Sequence, residues 1–419
     1  MFQVYCCGQP TAAGVEAVLE KVTGTVYPKD GPIIWFNLRQ EPSILVGGNP
    51  YCARPANKIG EYAELGAVTA EQLEKDEPEF LKVVTGRAAE KDGKLSVVDV
   101  NKKESEVEAK DIKTVAAVME AAKEKFSGLR HVRVPVCNSA APNDVDFDTI
   151  CQALVGSNIN TPVIINDQVG LSRATTGCVI ACLFKEFQIN ASFEGLVETV
   201  PGGNLDLLKM DRYRMDPNKD ALFRGEFEVI KELVATLGAD GEASKRECDK
   251  VIDKNGPTKT GGTGIKQLRE NIAESKLSYE IMDDAAQAFL KSKIMDNIHK
   301  YFYLIVFAGY MREAAVAARE VIEAEKKAAV ALPASGKCSI PAKDLTVPRT
   351  FKAFMDENAW MREHIDTGKG NLQWERDIPP AALANLENLA TTDFKANLGK
   401  IIHDIYQTAH LMFSDMPQV

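Results

Sequence analysis

The chain has 419 residues, of which 45% are hydrophobic and 26% are charged, and its formal net charge is −10. A chain of this length and composition can bury a sizeable core, in two or three structural units. The acidic balance argues against non-specific binding to nucleic acid and to anionic membrane surfaces, but it leaves room for one local basic pocket.

Signals for targeting, membrane insertion and metal binding are weak. The opening MFQVYCCGQPT lacks a basic region followed by a long apolar run, so no signal or transit peptide is expected. The apolar run from Tyr301 to Tyr310 is too short to span a bilayer and predicts a buried core helix. Nine cysteines without CxxC spacing favour free thiols in a reducing compartment. We therefore expect a cytoplasmic protein, free or associated with the cytoskeleton or a larger complex, with no metal and no cofactor.

Strand and helix patterns alternate over the first 190 residues. The strand at 43–46 is expected to pair with the one at 33–38, and residues 53–110 are interpreted as a polar surface excursion with short elements. Alternating strands and helices predict a parallel-rich sheet with covered faces. The predicted strands are 33–38, 43–46, 131–136 and 162–166, and the predicted helices are 11–22, with Thr11 as N-cap, 111–125, 147–155 and 173–187.

The pattern becomes helical from about residue 223 onward. Apolar residues at three- and four-residue spacing predict helices over 223–237, 268–275 and 283–326, and the last seventy residues are again helical in pattern. The predicted organisation has four parts: an α/β domain over 1–245, a helical extension over 246–331, a proline-containing linker over 332–348 and a helical segment over 349–419.

The segment NDQVGLSRATTG, residues 166–177, is the place where chemistry is expected. A buried strand ends, a short glycine-containing loop turns, and a helix starts at Arg173, an arrangement that aims backbone N–H groups and a guanidinium at one point. An ordinary strand-to-helix connection has the same spacing. The candidate phosphate loop consists of Asp167, Gln168, Val169, Gly170, Leu171, Ser172 and Arg173.

Several ordered blocks extend the comparison beyond this loop. They are VYCCGQPT (4–11), IIWFNLRQEP (33–42), RVPVCNSAAPNDVDFD (133–148), NDQVGLSRATTGCVIACL (166–183), GEFEVIKELV (225–234), QLREN (267–271) and KYFYLIVFAGYM (300–311). On these blocks the chain resembles one half, we expect the C-terminal one, of the paladin family of tandem protein-tyrosine-phosphatase-like proteins. The resemblance implies an α/β fold with a protein-tyrosine/dual-specificity-phosphatase-like core, a largely helical C-terminal part, and a phosphoinositide or phosphoprotein connection.

Three positions depart from the pattern that the resemblance implies. Asp167 stands where the family has the nucleophilic cysteine, six positions before the arginine. Asn138 stands where the family offers the general-acid aspartate, and an amide cannot give up a proton to a leaving group. Ala174 replaces the hydroxyl residue beside the arginine. Asp144, Asp146 and Asp148 lie close by but are expected to flank the next helix, so the site is expected to be catalytically degenerate.

The sequence suggests a role for Asp167. A carboxylate in the loop repels a phosphate by about 4 kcal/mol at 4 Å and an effective dielectric of 20, and it can accept the loop N–H groups and pair with Arg173. The expected pocket is therefore occupied from within. In the alternative, Asp167 points away and caps a turn.

These observations favour a pseudophosphatase that serves as a binding or scaffold module. Two alternatives remain open: an active phosphatase, through Asp167 as phosphoryl acceptor or through a separate half, and a structural subunit of a larger assembly. The expected partners are a phosphorylated ligand, either a phosphoinositide or a phosphoprotein, or another protein, but not nucleic acid.

Overall fold

The fold is that of a computed structural model of the chain. The residues that the structure describes are 2–23, 27–52, 68–98, 104–137, 140–192, 221–254, 268–279, 281–330, 347, 349–358, 360–361, 363 and 412–413. Two compact units are present. The first spans Met1–Ala153, Asn160–Cys178 and Asn388–Val419, and the second spans Leu154–Ile159 and Val179–Glu387. The four-part organisation expected from the sequence stays a prediction.

A parallel-rich sheet forms the centre of the first unit. The strands in chain order are β1 (Val4–Cys7), β2 (Ile33–Arg39), β3 (Ser43–Val46), β4 (Asn49–Cys52), β5 (Lys94–Val98), β6 (Glu104–Glu108), β7 (Lys113–Thr114), β8 (Leu129–Val136), β9 (Val163–Asn166) and β10 (Met412–Phe413). The main sheet has the order β10-β1-β9-β2-β8. Its pairs β1–β9, β9–β2 and β2–β8 are parallel, whereas β10 runs antiparallel to β1.

Helices cover this sheet, as the alternation of patterns predicted. They are α1 (Ala12–Thr23), α3 (Val115–Lys125), α4 (Asp144–Leu154) and α5 (Arg173–Ser192), whereas α2 (Ala70–Glu90) packs its apolar residues on β3, β4 and β5. Thr11 is the predicted N-cap of α1, since its Oγ1 accepts the Gly14 N–H at 2.9 Å. One core cluster joins Leu19 of α1 and Met119 of α3 to Trp35 of β2, all of them buried.

Two expectations about residues 43–110 are wrong. Strand β3 pairs with β4 and β7 in a separate antiparallel sheet, and not with β2. The physical reason is that β8 and β9 already occupy both edges of β2. The polar excursion also contains a 21-residue helix, α2, rather than short elements only. Its apolar positions lie on one face, with Leu73 and Ala88 buried, and charges elsewhere on the helix mask that stripe in the sequence.

The second unit is helical, as predicted. It contains α6 (Glu228–Thr236), a short 3₁₀ turn (Gly238–Asp240), α7 (Gly241–Lys254), α8 (Leu268–Tyr279), α9 (Asp284–Val330) and α10 (Phe351–Asp356). The apolar run Tyr301 to Tyr310 lies buried within α9, as its length predicted. Among the described residues, none of the helices has the length and apolar character needed to cross a membrane.

The expected fold class is therefore confirmed: an α/β core with a parallel-rich sheet flanked by helices, and a helical C-terminal part. Most of the predicted linker, 332–348, lies outside the described residues. Of the last seventy residues, the structure describes α10, a few residues after it and the two-residue strand β10.

Candidate functional site

The carboxyl ends of three parallel strands meet at one edge of the main sheet. In register, Asn166 at the end of β9 pairs with Cys7 at the end of β1 and with Asn37 of β2. The loop that follows β9 leads from Asn166 to α5, which begins at Arg173. This is the edge at which open α/β sheets place their ligand sites.

The Asp167 side chain fills the centre of that loop. Its Oδ1 accepts the N–H of Val169 at 2.8 Å and the N–H of Gly170. Its Oδ2 accepts the N–H of Ser172 at 3.3 Å and that of Ala174 at 3.0 Å. The residue is only 2% exposed. Four backbone donors and the start of a helix thus converge on one internal carboxylate, which is the arrangement expected for a self-occupied loop.

Gly170 allows the loop to turn so tightly. Its φ is +82°, in the region that favours glycine, and a Cβ added there would lie 2.7 Å from the Cys7 carbonyl carbon and from the Gly8 nitrogen. The loop therefore passes directly over the end of β1. A hydrogen bond from the Gln9 N–H to the Gln168 carbonyl, 3.1 Å long, fixes this crossing.

Arg173 is anchored by a residue that no sequence pattern singled out. Its Nη1 donates to Glu41 Oε1 at 3.0 Å and to the Val136 carbonyl at 3.0 Å, and its Nη2 donates to Glu41 Oε2 at 3.3 Å. We expected Arg173 to pair with Asp167; the ion pair seen in the structure is with Glu41. Glu41 lies two residues after β2 and two residues before β3, and no local pattern in the sequence marks it as a partner of Arg173.

Opposing effects set the protonation of Glu41. Burial alone would raise its pKa, but the charges of Arg173 and Arg39, with the hydrogen bond from Arg173, hold the pKa of Glu41 below its ordinary value. Arg39 Nε lies 3.5 Å from Glu41 Oε2. The buried carboxylate is therefore negatively charged and faces two cations.

A polar layer beneath the loop was also missed. Trp35 Nε1 donates to Asn166 Oδ1 at 2.8 Å, and Asn166 Nδ2 donates to the Asp167 carbonyl at 3.3 Å. The same amide reaches Gln9 Oε1 at 3.3 Å. The sequence feature that could have indicated this polar layer is the pair of asparagines, Asn37 and Asn166, near the ends of otherwise apolar strands. These bonds fix the position from which Asp167 projects.

The remaining candidate residues have mainly structural contacts. The hydroxyls of Thr175 and Thr176 both donate to the Ser172 carbonyl, at 2.7 and 3.2 Å. Ala174 is fully buried, and Leu171 is 41% exposed. Asn138 lies outside the residues that the structure describes.

Asp146 forms a cap at the start of α4, as the expected helix-flanking role implies. Asn143 N–H donates to Asp146 Oδ2 at 2.8 Å, and Asp146 N–H donates back to Asn143 Oδ1 at 3.0 Å. Burial, with a smaller contribution from the charge of Asp144, raises the pKa of Asp146 to about 6. The hydrogen bond from the Asn143 N–H acts in the opposite direction. Within the described residues there is no group of three or more His, Cys, Asp or Glu side chains that could hold a metal ion.

Comparison with known proteins gives one family model and several relatives. The model of the PTP-like phytase family, described as "Inositol hexakisphosphate", matches residues 36–185, which include the whole loop. Paladin from Gallus gallus is 26% identical over 315 residues, covering 74% of this chain and 33% of the relative. Paladin from Xenopus tropicalis is 25% identical with the same coverage, and paladin from Homo sapiens is 24% identical over 314 residues.

Two solved structures are similar over part of the chain. One is the PTP-like myo-inositol phosphatase from Mitsuokella multacida in complex with myo-inositol-(1,3,4,5)-tetrakisphosphate, at 19% identity and a TM-score of 0.36, covering 46% of this chain and 30% of that one. The other is a PTP-like phytase from Bdellovibrio bacteriovorus, at 19% identity and a TM-score of 0.31, covering 46% of this chain and 69% of that one.

The relatives and the family model both support the resemblance seen in the sequence. The chain spans about a third of the length of the curated relatives it matches. The resemblance seen in the sequence blocks is confirmed: the chain is similar to paladin over 74% of its length and to the PTP-like phytase family over residues 36–185.

Proposed function

We propose that the chain is a catalytically degenerate, phosphatase-type binding or scaffold module whose phosphate position is occupied by its own Asp167 carboxylate. The observation that carries this proposal is the set of four backbone N–H groups bound to that carboxylate. Hydrogen-bond donors that would otherwise surround a phosphate are engaged by the protein itself, and an entering anion meets a negative charge.

The chemistry of the loop supports the same proposal. A cysteine phosphatase attacks phosphorus with a thiolate, and Asp167 supplies none. A carboxylate can accept a phosphoryl group in other settings, but the four hydrogen bonds stabilise its charge and lower its nucleophilicity. Asn138 stands in place of the proton donor. Ala174 stands in place of the hydroxyl residue expected beside Arg173.

The description of the family model supports a phosphorylated ligand. The model that matches residues 36–185 carries the description "Inositol hexakisphosphate". A phosphoinositide or phosphoprotein partner would have to bind this chain at the rim of the loop, because the centre is filled. The eight cysteines among the described residues are free thiols, which suits a role in the reducing cytoplasm.

Calorimetric titration with inositol hexakisphosphate tests the proposal. The native chain should bind weakly, and Asp167→Ala should bind at least about tenfold more tightly, because the variant removes a charge repulsion of several kcal/mol. Asp30→Ala removes an exposed aspartate elsewhere in the first unit and serves as the control. Micromolar binding by the native chain that Asp167→Ala leaves unchanged would refute the self-occupied loop.

An assay with an aryl phosphate separates this proposal from an active phosphatase. The native chain should show no turnover above the background. Turnover that disappears in Arg173→Lys, a variant that keeps the buried charge but loses the planar two-pronged donor, would overturn the pseudophosphatase proposal. Circular dichroism of the variant checks that the fold is retained.

A further inference from the structure

Glu77 is a buried acidic residue of the charge-rich helix α2. It lies one turn after Leu73 on the same buried face, and its side chain is only 3% exposed. By contrast, Glu71, Glu74 and Glu79 of the same helix are exposed. Burial of a carboxylate is costly unless partners compensate its charge, so the position of Glu77 depends on specific contacts.

The partners of Glu77 lie on β8 and at the start of β3. Arg133 of β8 donates from its Nη1 to Glu77 Oε1 at 2.8 Å, and the N–H of Ser43 donates to the same oxygen at 3.1 Å. The Arg133 side chain is 7% exposed. Both members of the ion pair are therefore buried, and loss of either one would leave the charge of the other uncompensated.

The guanidinium of Arg133 also binds the backbone that connects β2 to β3. Its Nε donates to the Arg39 carbonyl at 3.2 Å, and its Nη2 donates to the Glu41 carbonyl at 3.4 Å. The hydroxyl of Ser43 donates to the Glu41 carbonyl as well, at 3.2 Å. These contacts fix the backbone of the residue whose carboxylate binds Arg173.

A continuous path of contacts therefore joins α2 to the loop. Glu77 fixes Arg133, and Arg133 fixes the backbone of Glu41. Glu41 in turn binds Arg173, the first residue of α5. The side chains of both ion pairs on the path are at most 7% exposed, so solvent and salt screen these contacts only weakly.

We propose that Glu77 is a positioning residue for Arg173: through Arg133, it keeps the Glu41 carboxylate in place on the guanidinium beside the loop. Without Glu77, Arg133 loses its counter-charge and its hold on the backbone at Glu41 loosens. The Glu41 carboxylate then leaves Arg173 for part of the time. The inference concerns Arg173 in the free protein, so it holds whether or not the loop binds an anion.

Labelling of the full chain with phenylglyoxal, a reagent for accessible guanidinium groups, tests the proposal when the peptides that contain Arg173 are followed by mass spectrometry. In the native chain, Arg173 should react slowly, because it is buried and bound to Glu41. In Glu77→Ala, its labelling rate should rise at least about fivefold, because labelling of a buried group follows the fraction of time for which its contacts are open.

Arg133→Lys provides a second variant on the same path. It keeps the positive charge but loses the planar fork that reaches Glu77 and two carbonyl groups together, so it should raise the labelling rate of Arg173 by a similar factor. The double variant should add little to either single change, because both changes act on one set of contacts. Arg133→Lys decides the question if Glu77→Ala does not fold.

Two controls separate positioning from a general loss of stability. Val18→Ala trims a core cluster that contains none of the residues on the path, and Glu74→Ala removes an exposed charge from α2. Both should leave the labelling rate of Arg173 within about twofold of the native rate, since sites without shared partners act independently. A native labelling rate in Glu77→Ala or in Arg133→Lys, or an equal rise in Val18→Ala, would overturn the proposal.

Discussion

The guanidinium of Arg173 and the carboxylate of Glu41 form a buried two-pronged ion pair, with Nη1 3.0 Å from Oε1 and Nη2 3.3 Å from Oε2. Exposure of the two side chains is only 1% and 2%. Arg173 therefore has an internal carboxylate partner, and the N–H groups of its loop have another in Asp167. The carboxylates of Asp167 and Glu41 therefore engage the loop N–H groups and the Arg173 guanidinium at this edge of the sheet.

Removal of the Glu41 carboxylate should destabilise the chain strongly. In Glu41→Ala, the buried guanidinium loses its counter-charge, and breaking a buried pair in this way costs about 3–5 kcal/mol. Urea unfolding followed by tryptophan fluorescence measures the change. Glu79→Ala breaks the exposed pair with Lys82, in which both side chains are 69% exposed, and should leave the midpoint nearly unchanged. Equal effects of the two variants would contradict the account of Arg173.

His131 should make the stability fall in mild acid. Burial, with the charges of Arg133 and Lys123, lowers the pKa of His131 to about 3 from its ordinary value of 6.5. A depressed pKa means that the folded chain resists protonation, so stability is fully present above about pH 6.5 and is lost as the pH falls towards 3. His131→Gln should flatten the dependence of the melting temperature on pH between 4 and 6.5. If the native chain and the variant have parallel profiles, His131 is not the group responsible.

Two glycine-to-alanine variants should act in opposite directions. Gly170→Ala forces a residue with a Cβ to adopt a φ of +82° and to approach the Cys7 and Gly8 backbone within 2.7 Å, so it should destabilise the chain. Gly86 lies in α2, and a Cβ added there meets nothing within 4 Å. Gly86→Ala should therefore stabilise the chain by about 0.5–1 kcal/mol. Thermal melts of both variants check the pair. A neutral Gly170→Ala would mean that the loop does not pass so close to β1.

Replacement of Asp167 by cysteine should create a reactive thiol. The backbone donors that now bind the carboxylate would stabilise a thiolate, so Asp167→Cys should react with iodoacetamide at neutral pH faster than ordinary thiols do. The described native cysteines, all buried except the partly buried Cys137, provide the internal reference. Aryl-phosphate turnover should remain low, because Asn138 and Ala174 are unchanged. A thiol of ordinary reactivity would show that the loop donors do not converge on this position.

The sequence predicted the features that are encoded locally. The strand ending at Asn166, the loop with Gly170 and the helix starting at Arg173 lie within one short segment, so their spacing is visible without a fold. Glu41 is separated from Arg173 by 132 positions and meets it only through the order of the strands. No local pattern encodes such a contact.

The pairing of β3 shows the same limit. Proximity in sequence favoured pairing with β2, but β8 and β9, which come much later in the chain, take both edges of that strand. Helix α2 was missed for another reason: its buried stripe is narrow, and the charged residues around it dominate the composition. The sequence patterns therefore did not predict the order of the strands in the sheets, and they did not reveal a helix whose apolar face is narrow.

A crystal structure of the native chain grown with millimolar phosphate tests the central claim most directly. We predict that the Asp167 carboxylate remains in the loop, accepts the N–H groups of Val169, Gly170, Ser172 and Ala174, and leaves no phosphate in the loop centre. The contradictory result would be a phosphate held by those four N–H groups, with the Asp167 side chain turned away from the loop.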